Sequence, residues 1–344
     1  MAKITFIDLF AGIGGFHIAF HDAKARCVFA SEKDSAARNS YVHNFVKSKE
    51  QPKTKEFPYR DLESSQFNVD ITDLTRPGKN QKISPLRVDH LLIPNFDVMC
   101  GGFPCQPFSN AGLRLGFAED RGTLFEDMVE ILSTKIDAGQ PAKAFFLENV
   151  RGLKTHMSGT KRTIELIEEK LRGLGYSYYP IEVKASDFGV PQHRPRLFLI
   201  GFFIDARGIA DLEQVASEGR RFDEKFKVFL AEYEKNLPLP MVRSLEEILG
   251  ATRSVDNGRS IGYTLRVGGR GSGIGDRRNW DWYSVDGQPK RIEWSEGLAL
   301  QGFPSEFVFP ESVSDSQRMK QLGNSVAVPA VRYFARAIAR AMQG

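Results

Sequence analysis

The 344-residue sequence contains few cysteines, namely Cys27, Cys100 and Cys105. They form no Cys-x-x-Cys pair and no cluster with histidine at the spacing of zinc ligands. Such a small, odd number argues against a disulfide framework, and we predict no metal site. A reducing, cytosolic setting is the simplest expectation.

Long hydrophobic runs are also missing. No stretch of 18 apolar residues occurs, and residues 1–10 lack the apolar core and cleavage site of a signal peptide. We therefore expect no membrane span and no membrane partner. Internal repeats and low-complexity tracts are absent, while 41% hydrophobic and 26% charged residues predict a sizeable globular core.

The charge balance is mildly basic. The formal net charge is +4 and the sequence pI is about 8.8. This balance fits a polyanionic partner, but many basic proteins bind no nucleic acid, so charge alone carries little weight.

Apolar, β-branched segments alternate with segments of helical spacing. Strand-like segments lie at residues 4–10, 27–30, 97–100, 144–147, 176–183 and 196–203. Helical periodicity follows Thr123, and it recurs over residues 164–174 and 327–342. This alternation predicts an α/β fold with a mostly parallel sheet covered on both faces.

The pattern changes after Asp205. Residues 209–235 predict an amphipathic helix, which we interpret as packing for a small domain, and residues 258–287 are rich in glycine, arginine and aromatics. We predict a main domain over 1–205, a small domain over 206–291, and a return to the main domain over 292–344.

Four short motifs lie at the predicted strand ends. DLFAGIGG, residues 8–15, provides a glycine turn that brings backbone close to a ligand, and Glu32 follows the second strand. The turn lacks full dinucleotide spacing, so a simple tight turn is an equal alternative. GGFPCQPFS, residues 101–109, places Cys105 on a rigid loop suited to a nucleophile. A lone cysteine is more often a buried hydrophobe, which suits Cys27 and Cys100.

The other two motifs carry charge. FLENV ends a strand with Glu148, which can bind or protonate a ring nitrogen. QHRPR precedes a strand, and its Arg194 and Arg196 are expected on one side of an extended segment, where they can hold phosphate or fix Glu148. Taken singly, each of these charged side chains is more often solvated at the surface or caps a helix than part of a functional site.

The ordered set DLFAGIGG, GGFPCQPFS, FLENV, QHRPR, LQGFP and QLGNSV resembles the DNA (cytosine-5) methyltransferase family of the bacterial restriction-modification type. It extends from residue 8 to residue 326. The resemblance implies a Rossmann-like methyltransferase fold, S-adenosylmethionine as methyl donor, and double-stranded DNA as substrate. It also implies that one cytosine is flipped out of the helix and that a small domain recognises the target sequence. The protein is then expected to be a monomer, and a cognate restriction endonuclease can act on the same DNA site.

The resemblance assigns roles to matching positions. Cys105 is the nucleophile, and Glu148, Arg194 and Arg196 surround the cytosine. The positions implied to bind the cofactor are Phe10, Gly12, Gly14, Glu32, Asp70, Ile71, Asn324 and Val326. Gln106 and Ser109 are expected to contact DNA beside the nucleophile. Four arginines of the small domain are also expected to contact DNA, because arginine suits guanine edges and phosphates; they are Arg266, Arg270, Arg277 and Arg278.

This chain departs from the family pattern at Lys33, where relatives can carry an aromatic that stacks on adenine. Two other functions are considered. A branch of the family methylates tRNA, although the size and arginine content of the small domain favour DNA. A non-catalytic DNA-binding regulator on the same fold is disfavoured, because Cys105, Glu148 and the glycine turn are all present.

Overall fold

The computed structural model describes residues 3–47, 58–76, 93–104, 124–267, 273–276 and 278–343. Five predicted site residues lie outside these ranges: Cys105, Gln106, Ser109, Arg270 and Arg277. Within the described ranges, no helix is long and apolar enough to cross a membrane. The same ranges hold no group of three or more His, Cys, Asp or Glu side chains that could bind a metal ion.

A seven-stranded sheet forms the centre of the molecule, in the order β3-β2-β1-β4-β5-β9-β8. Its strands are β1 Thr5–Leu9, β2 Arg26–Ser31, β3 Phe67–Asn68, β4 Val98–Gly102, β5 Ala144–Val150, β8 Tyr179–Lys184 and β9 Pro195–Phe202. Neighbouring strands are parallel from β3 to β5, whereas β9 is antiparallel to both β5 and β8. The predicted strands are thus confirmed, with short shifts in their bounds.

Helices cover both faces of the sheet, as the sequence predicts. They are α1 Gly15–Asp22, α2 Ser35–Phe45, α3 Thr72–Thr75, α4 Leu124–Asp137, α5 Thr163–Gly173, α6 Glu213–Glu232, α7 Leu245–Leu249, α8 Trp294–Gln301, α9 Asp315–Asn324 and α10 Val328–Met342. Adjacent residues of β1 point to opposite faces, so Phe6 joins the core beneath α1 and α10 while Ile7 joins the core beneath α4 and α5.

Two hairpins lie outside the central sheet. β6 Met157–Ser158 pairs with β7 Lys161–Arg162, and β10 Trp282–Val285 pairs with β11 Gln288–Arg291. The second hairpin belongs to the segment predicted as a small domain. The division of the chain into three segments stays a prediction.

Helix α6 forms within the range predicted for it, but its packing differs from the interpretation. Phe222 and Phe226 join the same core as Phe202 of β9 and Phe334 of α10. The ring of Phe226 lies 5.3 Å from that of Phe202, centroid to centroid. The helix therefore covers the central sheet instead of serving as packing for the small domain, because its aromatic face is needed to bury the outer part of that sheet.

Candidate active site

One edge of the sheet gathers the predicted motifs. β1, β2, β4 and β5 are parallel, so residues that end or follow these strands meet at their common carboxyl edge. β9 is antiparallel to β5, so its first residues lie at the same edge, with Arg196 opposite Val150. The reversal of β9 brings the QHRPR motif to the glycine turn and to Glu148.

The glycine turn follows β1 with an unusual backbone. Phe10, Gly12 and Gly14 have φ values of 54°, 57° and 83°, all in the left-handed region. At Gly14 a Cβ atom would lie 2.1 Å from Cε2 of Phe45, so this position also requires the absence of a side chain. The turn then leads directly into α1.

Glu32 joins the turn to the end of β2. Its Oε2 accepts a hydrogen bond from the backbone N–H of Gly12 at 2.8 Å, and its Oε1 accepts one from the backbone N–H of Asp34 at 2.7 Å. Burial raises the pKa of Glu32, and these backbone bonds oppose the rise. The carboxylate is thus fixed in orientation, and each oxygen retains capacity to accept another donor.

A cavity of about 690 Å³ opens at this edge. Its volume falls within the roughly 300–1,000 Å³ typical of small-molecule sites. Its wall combines residues from the four strand-end motifs with residues near α9, including Phe10, Gly12, Glu32, Gly102, Pro104, Glu148, Arg194, Arg196, Arg266, Lys320, Gly323 and Asn324.

The chemistry of this cavity fits S-adenosylmethionine. A fixed carboxylate at Glu32 matches a ribose diol, and the left-handed turn at Gly12 leaves the backbone open to a ligand, since no heavy atom lies closer than 4.0 Å to a Cβ built there. Four of the residues predicted to bind the cofactor line the wall: Phe10, Gly12, Glu32 and Asn324.

The other four predicted cofactor residues do not line the cavity. Gly14 contacts Phe45, and Val326 packs on Gly15. Ile71 is buried. Asp70 accepts hydrogen bonds from Thr72 at Oδ1 and pairs with Nζ of Lys33, which lies 2.6 Å from its Oδ2.

The ion pair of Asp70 sets its charge state. Burial alone would raise the pKa of Asp70, but the bonds from Lys33 and Thr72 outweigh burial and hold the pKa below its usual range. Asp70 is therefore a carboxylate whose oxygens are already engaged by the chain itself.

Glu148 and Arg196 form the charged pair of the cavity. Nε of Arg196 lies 2.7 Å from Oε1 of Glu148, and only 15% and 12% of the two side chains are exposed. Gly102 of β4 faces the other oxygen of Glu148, since a Cβ at that glycine would lie 3.2 Å from Oε2. The pair therefore leaves one carboxylate oxygen directed to Gly102 at the end of β4.

Arg194 has different partners from those expected. Its side chain is buried, and it donates from Nη1 to the carbonyl of Leu265 at 3.0 Å and from Nη2 to the carbonyls of Gly323 and Ser325. Burial, with Arg196 nearby, lowers the pKa of Arg194 to about 9, against the effect of Glu148. Backbone carbonyls thus occupy both terminal nitrogens of Arg194, which still lines the cavity, and its place beside the cytosine stays a prediction.

Two buried amides that received no role from the sequence support the site. Nδ2 of Asn149 donates to the carbonyl of Phe103 at 3.0 Å and so ties β5 to the loop after β4. Gln192 donates to the carbonyl of Leu300 at 2.8 Å and accepts from the N–H of Leu265. Asn149 lies in the FLENV motif and Gln192 in the QHRPR motif. Their position in these motifs is the sequence feature that could have indicated a role in the site.

The arginines predicted to contact DNA are only partly described. Arg266 lines the cavity. Arg278 is 80% exposed in its side chain and pairs with Asp276, with Nη2 at 2.8 Å from Oδ2. Their contacts with DNA stay predictions.

The fold and this edge together define a methyltransferase of the α/β class. The chain matches the family described as C-5 cytosine-specific DNA methylase over residues 4–218 and 209–340. It belongs to that family. The family and fold imply the use of S-adenosylmethionine.

Curated relatives resemble the chain over nearly its full length. Type II methyltransferase M.HpaII of Haemophilus parainfluenzae is 36% identical and matches 96% of this chain and 87% of its own. Type II methyltransferase M.NlaX of Neisseria lactamica is 34% identical, over 96% of this chain and 94% of its own. The protein is a sequence-specific DNA cytosine-5 methyltransferase.

Solved structures share the fold at lower identity. Dnmt2 methyltransferase of S. pombe superposes with a TM-score of 0.62 at 16% identity, covering 99% of this chain and all of that chain. A mutant of Spodoptera frugiperda DNMT2 gives 0.59 at 17% identity, covering 98% and 99%. At this identity the likeness concerns the fold alone.

Proposed function

We propose that the cavity binds S-adenosylmethionine and that Cys105 forms a covalent adduct with a cytosine flipped out of duplex DNA. Flipping is necessary because neither face of carbon 6 is accessible in a stacked duplex, and it costs a few kcal/mol. The observation that carries the proposal is the Glu148–Arg196 pair in the cavity wall, beside Gly102 and Pro104 of the motif that contains Cys105.

The cofactor subsite is proposed from the residues of the wall. Glu32 accepts the ribose hydroxyls, while Phe10, Gly12 and Asn324 enclose the ligand. Asp70 and Ile71 lie next to the adenine, with Asp70 keeping its ion pair with Lys33, and Gly14 and Val326 support the surrounding backbone. When bound, S-adenosylmethionine supplies an electrophilic methyl group.

The cytosine chemistry needs a nucleophile and a partner for the ring nitrogen. The Cys105 thiolate adds to carbon 6, the 5,6 double bond gives its electrons to the ring, and carbon 5 becomes enamine-like and reactive. Glu148 hydrogen-bonds ring nitrogen 3 and so stabilises the charge that develops there. Arg196 holds Glu148 in place. After methylation, loss of the carbon-5 proton expels the thiolate and restores the double bond.

An adduct trap tests this proposal. In DNA containing 5-fluorocytosine, the carbon-5 substituent cannot leave as a proton, so the thiol should remain attached. We expect wild-type protein with S-adenosylmethionine to form a denaturation-resistant complex with such DNA.

Cys105→Ser should form no such complex, although it retains Cys27 and Cys100 and should still bind duplex DNA and S-adenosylhomocysteine. An adduct in that variant, or its absence in wild type that methylates ordinary DNA, would refute the covalent route. Because methylation of ordinary DNA is scored separately, failure of the trap is distinguishable from failure of the activity.

Target recognition is proposed for the segment 258–287, with Arg266, Arg270, Arg277 and Arg278 as candidate contacts and Gln106 and Ser109 near the flipped base. We also propose a role in restriction-modification, as a monomer beside a cognate endonuclease. Methylation of DNA of known sequence followed by bisulfite sequencing identifies the target. Modification scattered over all cytosines would contradict the assignment.

A further inference from the structure

The QHRPR motif makes contacts that catalysis does not require. The buried guanidinium of Arg194 makes three hydrogen bonds to two separate segments. Nη1 donates to the carbonyl of Leu265 in one segment, and Nη2 donates to the carbonyls of Gly323 and Ser325 in the other. We name residues 262–267, which lie outside the regular β-strands, the recognition strand, and residues 323–325 the cofactor segment. Arg194 therefore bridges the part of the chain predicted to read DNA and the part that closes the cofactor cavity.

Further bonds fix the same motif to the recognition strand. The N–H of His193 donates to the carbonyl of Gly262 at 2.8 Å, and the hydroxyl of Thr264 donates to the carbonyl of His193. Gln192 accepts from the N–H of Leu265. The recognition strand is thus bound by backbone and side-chain groups to Gln192 and His193, which precede β9.

The two bridged segments are also in direct backbone contact. A Cβ atom at Gly323 would lie 2.5 Å from the carbonyl carbon of Arg266 and 2.7 Å from the N–H nitrogen of Val267. With no side chain between them, a shift of the recognition strand must be met by a shift of the cofactor segment. Both Arg266 and Gly323 line the cavity, so such a shift alters its wall.

Burial makes the bridge cooperative. A buried cation is stable only while its hydrogen bonds are made, because breaking one leaves charge and a carbonyl unsatisfied away from water. The bonds from Arg194 to the two segments should therefore be kept or lost together, which is the property that transmits a conformational preference between sites.

We propose that Arg194 is a positioning residue that couples DNA binding to cofactor binding. This inference rests on the proposed function, in that it takes residues 258–287 to contact DNA and the cavity to bind S-adenosylmethionine. DNA that orders the recognition strand also orders the cofactor segment through Arg194, and by reciprocity the cofactor strengthens DNA binding by the same factor.

The test measures binding and not turnover. S-adenosylhomocysteine is titrated by calorimetry into the full-length protein, with and without the duplex on which wild type deposits 5-methylcytosine. The ratio of the two dissociation constants is the coupling factor. For wild type we expect about tenfold, within the range of roughly 5–150-fold typical of coupled sites.

Arg194→Lys keeps the positive charge but loses the two terminal nitrogens that bond to both segments. It should bring the coupling factor close to one. Arg60→Lys is the matched control. Arg60 is partly buried and, like Arg194, donates to backbone carbonyls, those of His43 and Asn44, but at the end of α2. Its variant should lose some thermal stability and keep the coupling.

Thr264→Val provides an independent variant at a partly buried position in the cavity wall, should Arg194→Lys fail to fold. It removes one bond between the recognition strand and His193, and it should lower the coupling factor by about twofold to threefold, in line with one hydrogen bond of modest net strength. Wild type that methylates DNA yet shows no coupling overturns the inference alone, as does full coupling in the Arg194→Lys or Thr264→Val protein. Wild type that neither methylates DNA nor binds S-adenosylhomocysteine overturns the proposed function and the inference together.

Discussion

Arg196 and Glu148 form an ion pair across two antiparallel strands, with Nε of Arg196 at 2.7 Å from Oε1 of Glu148. In the register of β5 and β9, Arg196 lies opposite Val150 and Phe198 lies opposite Glu148. The pair is therefore diagonal, on one face of the sheet, where long side chains can reach each other. This arrangement fixes the Glu148 carboxyl group relative to the loop after β4.

Glu148→Gln should abolish most turnover while leaving binding intact. The amide cannot protonate ring nitrogen 3, so we expect kcat to fall by about 10²–10⁴-fold, the usual contribution of a positioned acid or base. The measurement is single-turnover methyl transfer, together with the dissociation constant for DNA. Glu182→Gln is the control, because Glu182 pairs with Arg151 and Lys154 on the surface. Equal loss in both variants would contradict a specific role for Glu148.

Glu32→Ala should weaken cofactor binding by about tenfold or more. A hydrogen bond to a charged group is worth roughly 1.5–3 kcal/mol, and 1.4 kcal/mol corresponds to tenfold in affinity. The readout is calorimetric titration with S-adenosylhomocysteine. Glu63→Ala, which removes an exposed carboxylate paired with Lys47, should leave this affinity unchanged. An unaltered dissociation constant in Glu32→Ala would exclude the proposed ribose contact.

Asp8→Asn should stabilise the protein at pH 8 and not at pH 4. Asp8 is fully buried in β1, and burial, with Glu32 nearby, raises its pKa well above the usual range. The folded state thus holds the proton more tightly, and stability falls as pH rises from the unfolded pKa toward the folded one. The asparagine does not titrate. Denaturant unfolding of both proteins at several pH values gives the difference, and a pH-independent difference would refute the argument.

Gly14→Ala should lower the free energy of unfolding by roughly 2–4 kcal/mol, combining overpacking of about 1–3 kcal/mol with about 1 kcal/mol for a left-handed residue. The added Cβ would lie 2.1 Å from the Phe45 ring. Gly258→Ala is the matched control, since Gly258 has φ 103° but no heavy atom within 4 Å of a built Cβ. It should show the backbone cost alone. Denaturant unfolding measures both, and equal losses would remove the packing argument.

The sequence predicts much of this fold because local signals and the global fold agree. Apolar strands, helical spacing and the glycine turn locate β1, α5 and α10 within a few residues. The direction of β9 is not predictable in this way, because strand pairing depends on contacts distant in sequence. A parallel β9 would place Arg196 at the opposite edge, away from Glu148.

The arginine motif shows a second limit. Alternate residues share a side only in extended strand, and β9 begins at Pro195, so Arg194 precedes the regular segment. Its side chain turns to carbonyls at positions 265, 323 and 325, which no local pattern reveals. Likewise, the sequence indicates Asp70 as a ligand-binding carboxylate but not its ion pair with Lys33.

The cofactor cavity is built from two segments that lie far apart in the sequence. Phe10 and Gly12 form one wall, Gly323 and Asn324 form another, and α10 packs under α1. During synthesis, the wall near α9 therefore follows the glycine turn by about 300 residues, which take roughly 15–60 s to translate at about 5–20 residues per second. A nascent chain that has reached only β11 leaves the cavity open, so methylation of DNA must wait until α9 has been made.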